Sequence, residues 1–221
     1  MFRHSVAVLA AGIAVAGCSN SSTATHPSTP TPVPTSALDG LFPSVGDVSA
    51  VMGTTMTPHE SFSITRDHSE LLPNLNCLGI WQVGEASIYD PSRYTAIRGQ
   101  VLRQPDADDW NSLVVQAVVS YPAADAAKKF FNESADRWSH CSNHLVNMTQ
   151  SGRSQITLTF GALTKTDTAL TIPMSSSGRG ASCQRALAVD NNVIVDVSAC
   201  GQTISNQASS IVSKIETRIP A

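Results

Sequence analysis

Acid/base side chains crowd residues 57–72, where His59, Glu60, Arg66, Asp67, His68 and Glu70 follow one another closely. A histidine beside a carboxylate can move a proton near neutral pH, so His68 with Asp67 or Glu70 could serve a hydrolase or transferase whose remaining groups come from distant positions. His59 with Glu60 offers a similar pair, or a pH-sensitive loop. The segment has little hydrophobic periodicity, however, and reads as mostly solvated loop.

Two further groups could in principle hold metal. His140-Cys141-x-x-His144 has ligand types at suitable spacing, but zinc needs the cysteine as a thiolate, and a disulfide would remove it. Asp106, Asp108 and Asp109 resemble the start of a calcium loop, yet Asn111 and Ala117 stand where an EF-hand needs its glycine and its closing glutamate. These aspartates read as a solvated hairpin tip. No G-x-S-x-G, S-x-x-K, H-E-x-x-H or P-loop motif occurs. The expectation is a protein without catalytic residues, metal or cofactor.

Aromatic residues are the other candidates for contact with a ligand. Phe131 and Trp138 share the apolar face of a helix and read as core. Trp81, Tyr94 and Trp110 lie at loops or strand edges, where rings either pack or line a cleft. With 14 Lys+Arg against 17 Asp+Glu and no run of one sign, the chain lacks the electrostatic footprint of nucleic-acid binding. Its 221 residues suit one globular domain, expected to be monomeric.

The elements that must position these groups can be read in outline. Ser44 caps a short helix over 45–52, stopped by Gly53. Residues 95–103 and 110–121 form a hairpin across a loop at 104–109. Pro122 opens a helix running to about Trp138, with Ala127, Phe131 and Trp138 on one face. Four short strand-like runs follow, and Asp190-Asn191-Asn192 turns between the last two. Residues 203–218 form an amphipathic helix through Ile204, Ala208, Ile211 and Ile215, with Ile219 continuing the spacing. Helices bracketing neighbouring strands, without β-α-β alternation, predict an α+β fold with an antiparallel sheet.

Ahead of this domain, Arg3 and His4 precede an apolar stretch over 5–16, too short to cross the ~30 Å of bilayer hydrocarbon. Val15-Ala16-Gly17-Cys18 resembles the bacterial lipobox, in which the signal is cut before the cysteine. The resulting expectation is a signal peptide over 1–17 and a diacylglycerol on the Cys18 thiol, with palmitate among the acyl chains. Two chains give stable anchoring where one does not. Of the nineteen residues 19–37, fourteen are Ser, Thr or Pro, which cannot form a core and favour extended chain. Residues 18–37 are therefore a tether, and the folded domain is expected over 38–221.

Lipidation of Cys18 leaves four of the five cysteines for an oxidising compartment. Cys77, Cys141, Cys183 and Cys200 permit three pairings. Cys183 and Cys200 flank the proposed turn at 190–192 almost symmetrically, which places them opposite each other; proximity then leaves Cys77 with Cys141.

The stretches "CQRALAVDNNVIVDVSAC", "LFPSVGDVSAVMG", "AIRGQVLRQP" and "AVVSYPAADAAKKFFNESADRWSHC" resemble, in order, the PknH-like extracellular sensor domain found in a mycobacterial kinase and in related lipoproteins. The resemblance spans 38–221. It implies an α+β domain with a twisted antiparallel sheet, packed helices, two disulfides paired as above, and a cleft for a ligand from the cell envelope. A lipid would stand in place of the kinase's transmembrane and catalytic parts, so direct phosphorylation signalling is not carried over. The expected function is a non-enzymatic, lipid-anchored ligand-binding or sensory module on the outer face of the cytoplasmic membrane. An envelope hydrolase or transferase and a structural surface antigen are the alternatives.

Overall fold

The structure is a computed structural model that describes residues 1–2, 30–148, 155–178 and 180–220. Residues 3–17 of the expected signal peptide, Cys18 and most of the tether lie outside the described residues. Among the described residues no helix is long and apolar enough to cross a membrane.

In chain order the elements are α1 (Val45–Met52), β1 (Thr57–Phe62), α2 (Leu75–Trp81), α3 (Ala86–Tyr89), β2 (Ala96–Gln104), β3 (Ser112–Ser120) and α4 (Ala124–Ser139). Then come β4 (Leu145–Met148), β5 (Ile156–Phe160), β6 (Thr164–Lys165), β7 (Ala169–Ser176), β8 (Ser182–Asp190), β9 (Val193–Gly201) and α5 (Gln207–Glu216). The strands form one antiparallel sheet in the order β1-β2-β3-β9-β8-β7-β5-β4, with β6 also on β7. This is the expected α+β class.

Central strand β9 explains how the layers are arranged. Every residue of it is buried, so the alternation of "VIVDVSAC" separates two cores rather than core from water. Val193, Val195, Val197 and Ala199 face a core closed by α5 and by the turn at Thr35–Leu41. Ile194 and Cys200 face the other core, where Phe130, Phe131 and Trp138 of α4 and Leu78 and Ile80 of α2 pack.

Local chemistry fixes the elements read in advance. Ser44 accepts from the Asp47 amide at 3.1 Å and the Asp47 carboxylate accepts from the Ser44 amide, a complete capping box, while Gly53 ends α1 at φ 67°. Asn191 turns the β8–β9 hairpin at φ 49°, and Cys183 lies directly across from Cys200. Both disulfides, Cys77–Cys141 and Cys183–Cys200, are present.

Three expectations need correction. Residues 57–62 are a strand, not loop: β1 pairs with β2, and Phe62 lies opposite Gly99 with its ring occupying the space a side chain there would need. The last helix begins at Gln207 rather than 203, leaving Ile204 ahead of it. Packed chain also starts before Leu38. Val33 is buried, donating its amide to Asn192 Oδ1 at 2.7 Å and accepting from Asn192 Nδ2 at 3.2 Å, so the last residues of the expected tether are pinned to the β8–β9 turn.

Candidate functional site

The face of the sheet that carries α2 and α4 is only partly covered by them, and the remainder is a cleft of about 1210 Å³. Residues two apart on successive strands form its floor, as the strand period requires: Leu113 and Val115 from β3, Ser198 and Cys200 from β9, Met174 and Ser176 from β7, Ile156 and Leu158 from β5. Met148 of β4 and Cys183 of β8 complete the floor, which brings the second disulfide to the cleft wall. Trp81 at the end of α2 and Trp110 of the β2–β3 loop add two indoles. Gln82, Asn111 and Gln202 supply amide groups at the same cleft.

Two of the three aromatic candidates are thus brought together. Tyr94 is not; its ring, partly buried, packs against the core and meets Tyr89 edge-on at 6.3 Å. Trp81 in turn meets the His68 ring edge-on at 6.0 Å, so the acid/base segment borders the cleft without lining it.

A buried ion pair sets where the Trp81–Val83 rim sits. Arg185 of β8 and Asp196 of β9 lie 2.5 Å apart, at 1% and 0% side-chain exposure. Their strands pair with Leu187 opposite Asp196, so the two charges are diagonal neighbours on one face. Arg185 donates to the carbonyls of Gly79, Ile80 and Gln82 at 3.4, 3.0 and 3.1 Å, which satisfies the C-terminal carbonyls of α2. Asp196 Oδ2 accepts from Tyr89 Oη at 2.9 Å and from the Gly84 amide at 3.3 Å. Burial, followed by the Asp196 charge, pushes the Tyr89 hydroxyl well above its usual range. Sequence reasoning missed both charges; their signal was the lone Arg of β8 and the lone Asp of β9.

The proton-transfer candidates are sorted differently from the sequence expectation. His68 pairs with neither Asp67 nor Glu70. Its ring Nδ1 lies 2.9 Å from Oε2 of Glu85, a fully buried carboxylate that also accepts from the His68 amide at 3.0 Å and the Ser87 hydroxyl at 3.1 Å. Asp67 accepts instead from the Ser69 hydroxyl and amide, at 2.6 and 2.9 Å, and these bonds hold its carboxyl below the usual range. Glu70 is exposed. His59 pairs with Asp106 at 2.6 Å rather than with Glu60, which takes Arg66. Among the described residues no hydroxyl or thiol bonds the second ring nitrogen of His68.

The metal candidates are engaged elsewhere. Cys141 is disulfide-bonded, and His140 and His144 use Nδ1 on the carbonyls of Asp136 and Ser142 at 2.9 and 2.8 Å. Asp106 and Asp108 pair with His59 and Arg103, and Asp109 lines the cleft.

Fold and site together define an α+β domain stapled by two disulfides, with a cleft of mixed polarity open on one face of its sheet. The chain belongs to the PknH-like extracellular domain family, whose model matches residues 33–218. It is 35% identical over 193 residues to the serine/threonine-protein kinase PknH of Mycobacterium bovis, covering 86% of this chain and 32% of that protein. PknH of Mycobacterium tuberculosis matches with the same identity over the same share of this chain and 30% of its own length. The chain therefore spans about a third of the curated relatives it matches. The crystal structure of the extracellular domain of PknH from Mycobacterium tuberculosis superposes with a TM-score of 0.78 at 34% identity, over 85% of this chain and 97% of that one. The family match begins at Val33, whose backbone is held to Asn192 of the β8–β9 turn.

Proposed function

We propose that this protein is a non-enzymatic, ligand-binding or sensory domain on the extracytoplasmic side of the membrane, held there by a diacylglycerol on Cys18. The observation that carries the reading is the cleft: two indoles and two thioethers over an apolar floor, with amides and hydroxyls placed among them. Such a lining suits an envelope molecule with an apolar part and a few hydrogen-bonding groups. Membership of a family described by an extracellular domain supports the location, and two disulfides fit an oxidising compartment. The hydrolase alternative is disfavoured by the place of the His68–Glu85 pair, which stands outside the cleft lining. A purely structural surface protein would have no use for an open cleft of this volume.

Native mass spectrometry of the full chain recovered from its own envelope tests the binding reading. A bound mass is expected, and Trp81→Ala with Trp110→Ala should remove it at unchanged fold. Bare chain, or an identical load in the double variant, overturns it. Cys18→Ser should release the protein from the membrane fraction; retention there defeats the lipid anchor.

A further inference from the structure

A second cavity, of about 620 Å³, lies between residues 87–93 and α4, and shares no lining residue with the first. Its apolar wall includes Ile88, Pro122 and Ala126, and four charged side chains complete it. Two of these cancel, since Lys129 Nζ pairs with Glu133 at 2.6 Å. The guanidinium groups of Arg93 and Arg137 remain, and among the described residues neither forms an ion pair with a carboxylate. We propose that this cavity binds a phosphate group through Arg93 and Arg137.

Three observations point the same way. Arg137 is half-buried over the Phe130 ring at 5.6 Å, and among the described residues its guanidinium donates to the neutral Ser134 hydroxyl at 3.0 Å. Burial lowers its pKa, while Glu133 and Asp136 favour the charge through space. A cation held partly out of water with no carboxylate in ion-pair contact is an arrangement an anionic ligand completes. Arg93 occupies the left-handed region, φ 59° and ψ 44°, at the end of the short turn Asp90–Ser92, where glycine or asparagine fits more readily. Arg93 thus carries a cationic side chain at a backbone position that disfavours it, and is among the residues that line the cavity. Both cations face one space in a chain whose formal net charge is −3. Guanidinium forks match phosphate oxygens in pairs, which favours phosphate over a spherical anion. The phosphate could belong to a soluble phosphomonoester or to a lipid headgroup.

The test uses the full chain carrying Cys18→Ser, so that no acyl chain contributes to vesicle binding. Inorganic phosphate and glycerol 3-phosphate are titrated calorimetrically, with chloride as control, and flotation is measured on phosphatidylcholine vesicles with and without phosphatidic acid. Saturable phosphate binding is expected, weakened about tenfold by Arg93→Ala and again by Arg137→Gln, with no response to chloride. Arg93 is exposed, so its variant keeps the test valid if Arg137→Gln unfolds. Binding of the free phosphates alone assigns a soluble source; binding of the phosphatidic acid vesicles alone, lost in Arg93→Ala, assigns a headgroup. The proposal is overturned if no probe binds, or if binding is unchanged in both variants.

Discussion

Arg185 shows how one side chain can set the geometry of a cleft it does not line. Its guanidinium holds the last carbonyls of α2 and so fixes the backbone on which Trp81 and Gln82 stand. Arg185→Ala leaves the buried Asp196 carboxyl group without its cationic partner, and the loss of stability should be about 3–5 kcal/mol, read from urea unfolding. Neither charge was legible as a partner of the other. Eleven positions separate them, and only the register of β8 on β9 makes them diagonal neighbours. Glu85 was hidden for a similar reason: its histidine lies seventeen residues earlier and reaches it across a loop. In contrast Trp81 and Trp110 were named from the sequence, because an exposed-edge indole is conspicuous wherever its element is known roughly.

At the scale of elements, β1 is the instructive case. Its sequence, TPHESF, is polar and exposed except for the last residue, which gave no strand signal. What makes it a strand is pairing with β2, together with the Phe62 ring laid over Gly99 and Arg66 stacked above it at 4.7 Å. A Cβ at Gly99 would stand 2.0 Å from the ring, so Gly99→Ala should destabilise the domain by about 1–3 kcal/mol in thermal or urea unfolding. In a Phe62→Ala background the same change should cost far less, because the clash is gone. The α1 cap, the β2–β3 hairpin and α4 needed no such tertiary help. Each carries its own start, stop or periodicity within a few residues.

On the scale of the whole molecule, the two cores share one sheet and the buried tyrosines of one of them link stability to alkaline pH. Tyr89 and Tyr121 are both pushed up from their ordinary value of 10.0, chiefly by burial. Their neutral form is favoured in the fold, so the unfolded chain releases protons first as pH rises. The stability they contribute is complete below pH 10.0 and falls above it, and ultraviolet titration should show both phenols ionising only as the domain unfolds. Two phenols titrating freely in folded protein would contradict this burial. By itself the sequence was enough for the fold class, for α1, α4 and α5, for the β2–β3 and β8–β9 hairpins and for the facing of Cys183 and Cys200, and it carries the expectation of a lipid on Cys18, because those depend on spacing, caps and motifs within short stretches. Only the tertiary structure decided which face of the sheet stays open, which carboxylate His68 meets, and which arginines are left facing a cavity. Those depend on register and packing between segments tens of residues apart, which no local pattern encodes.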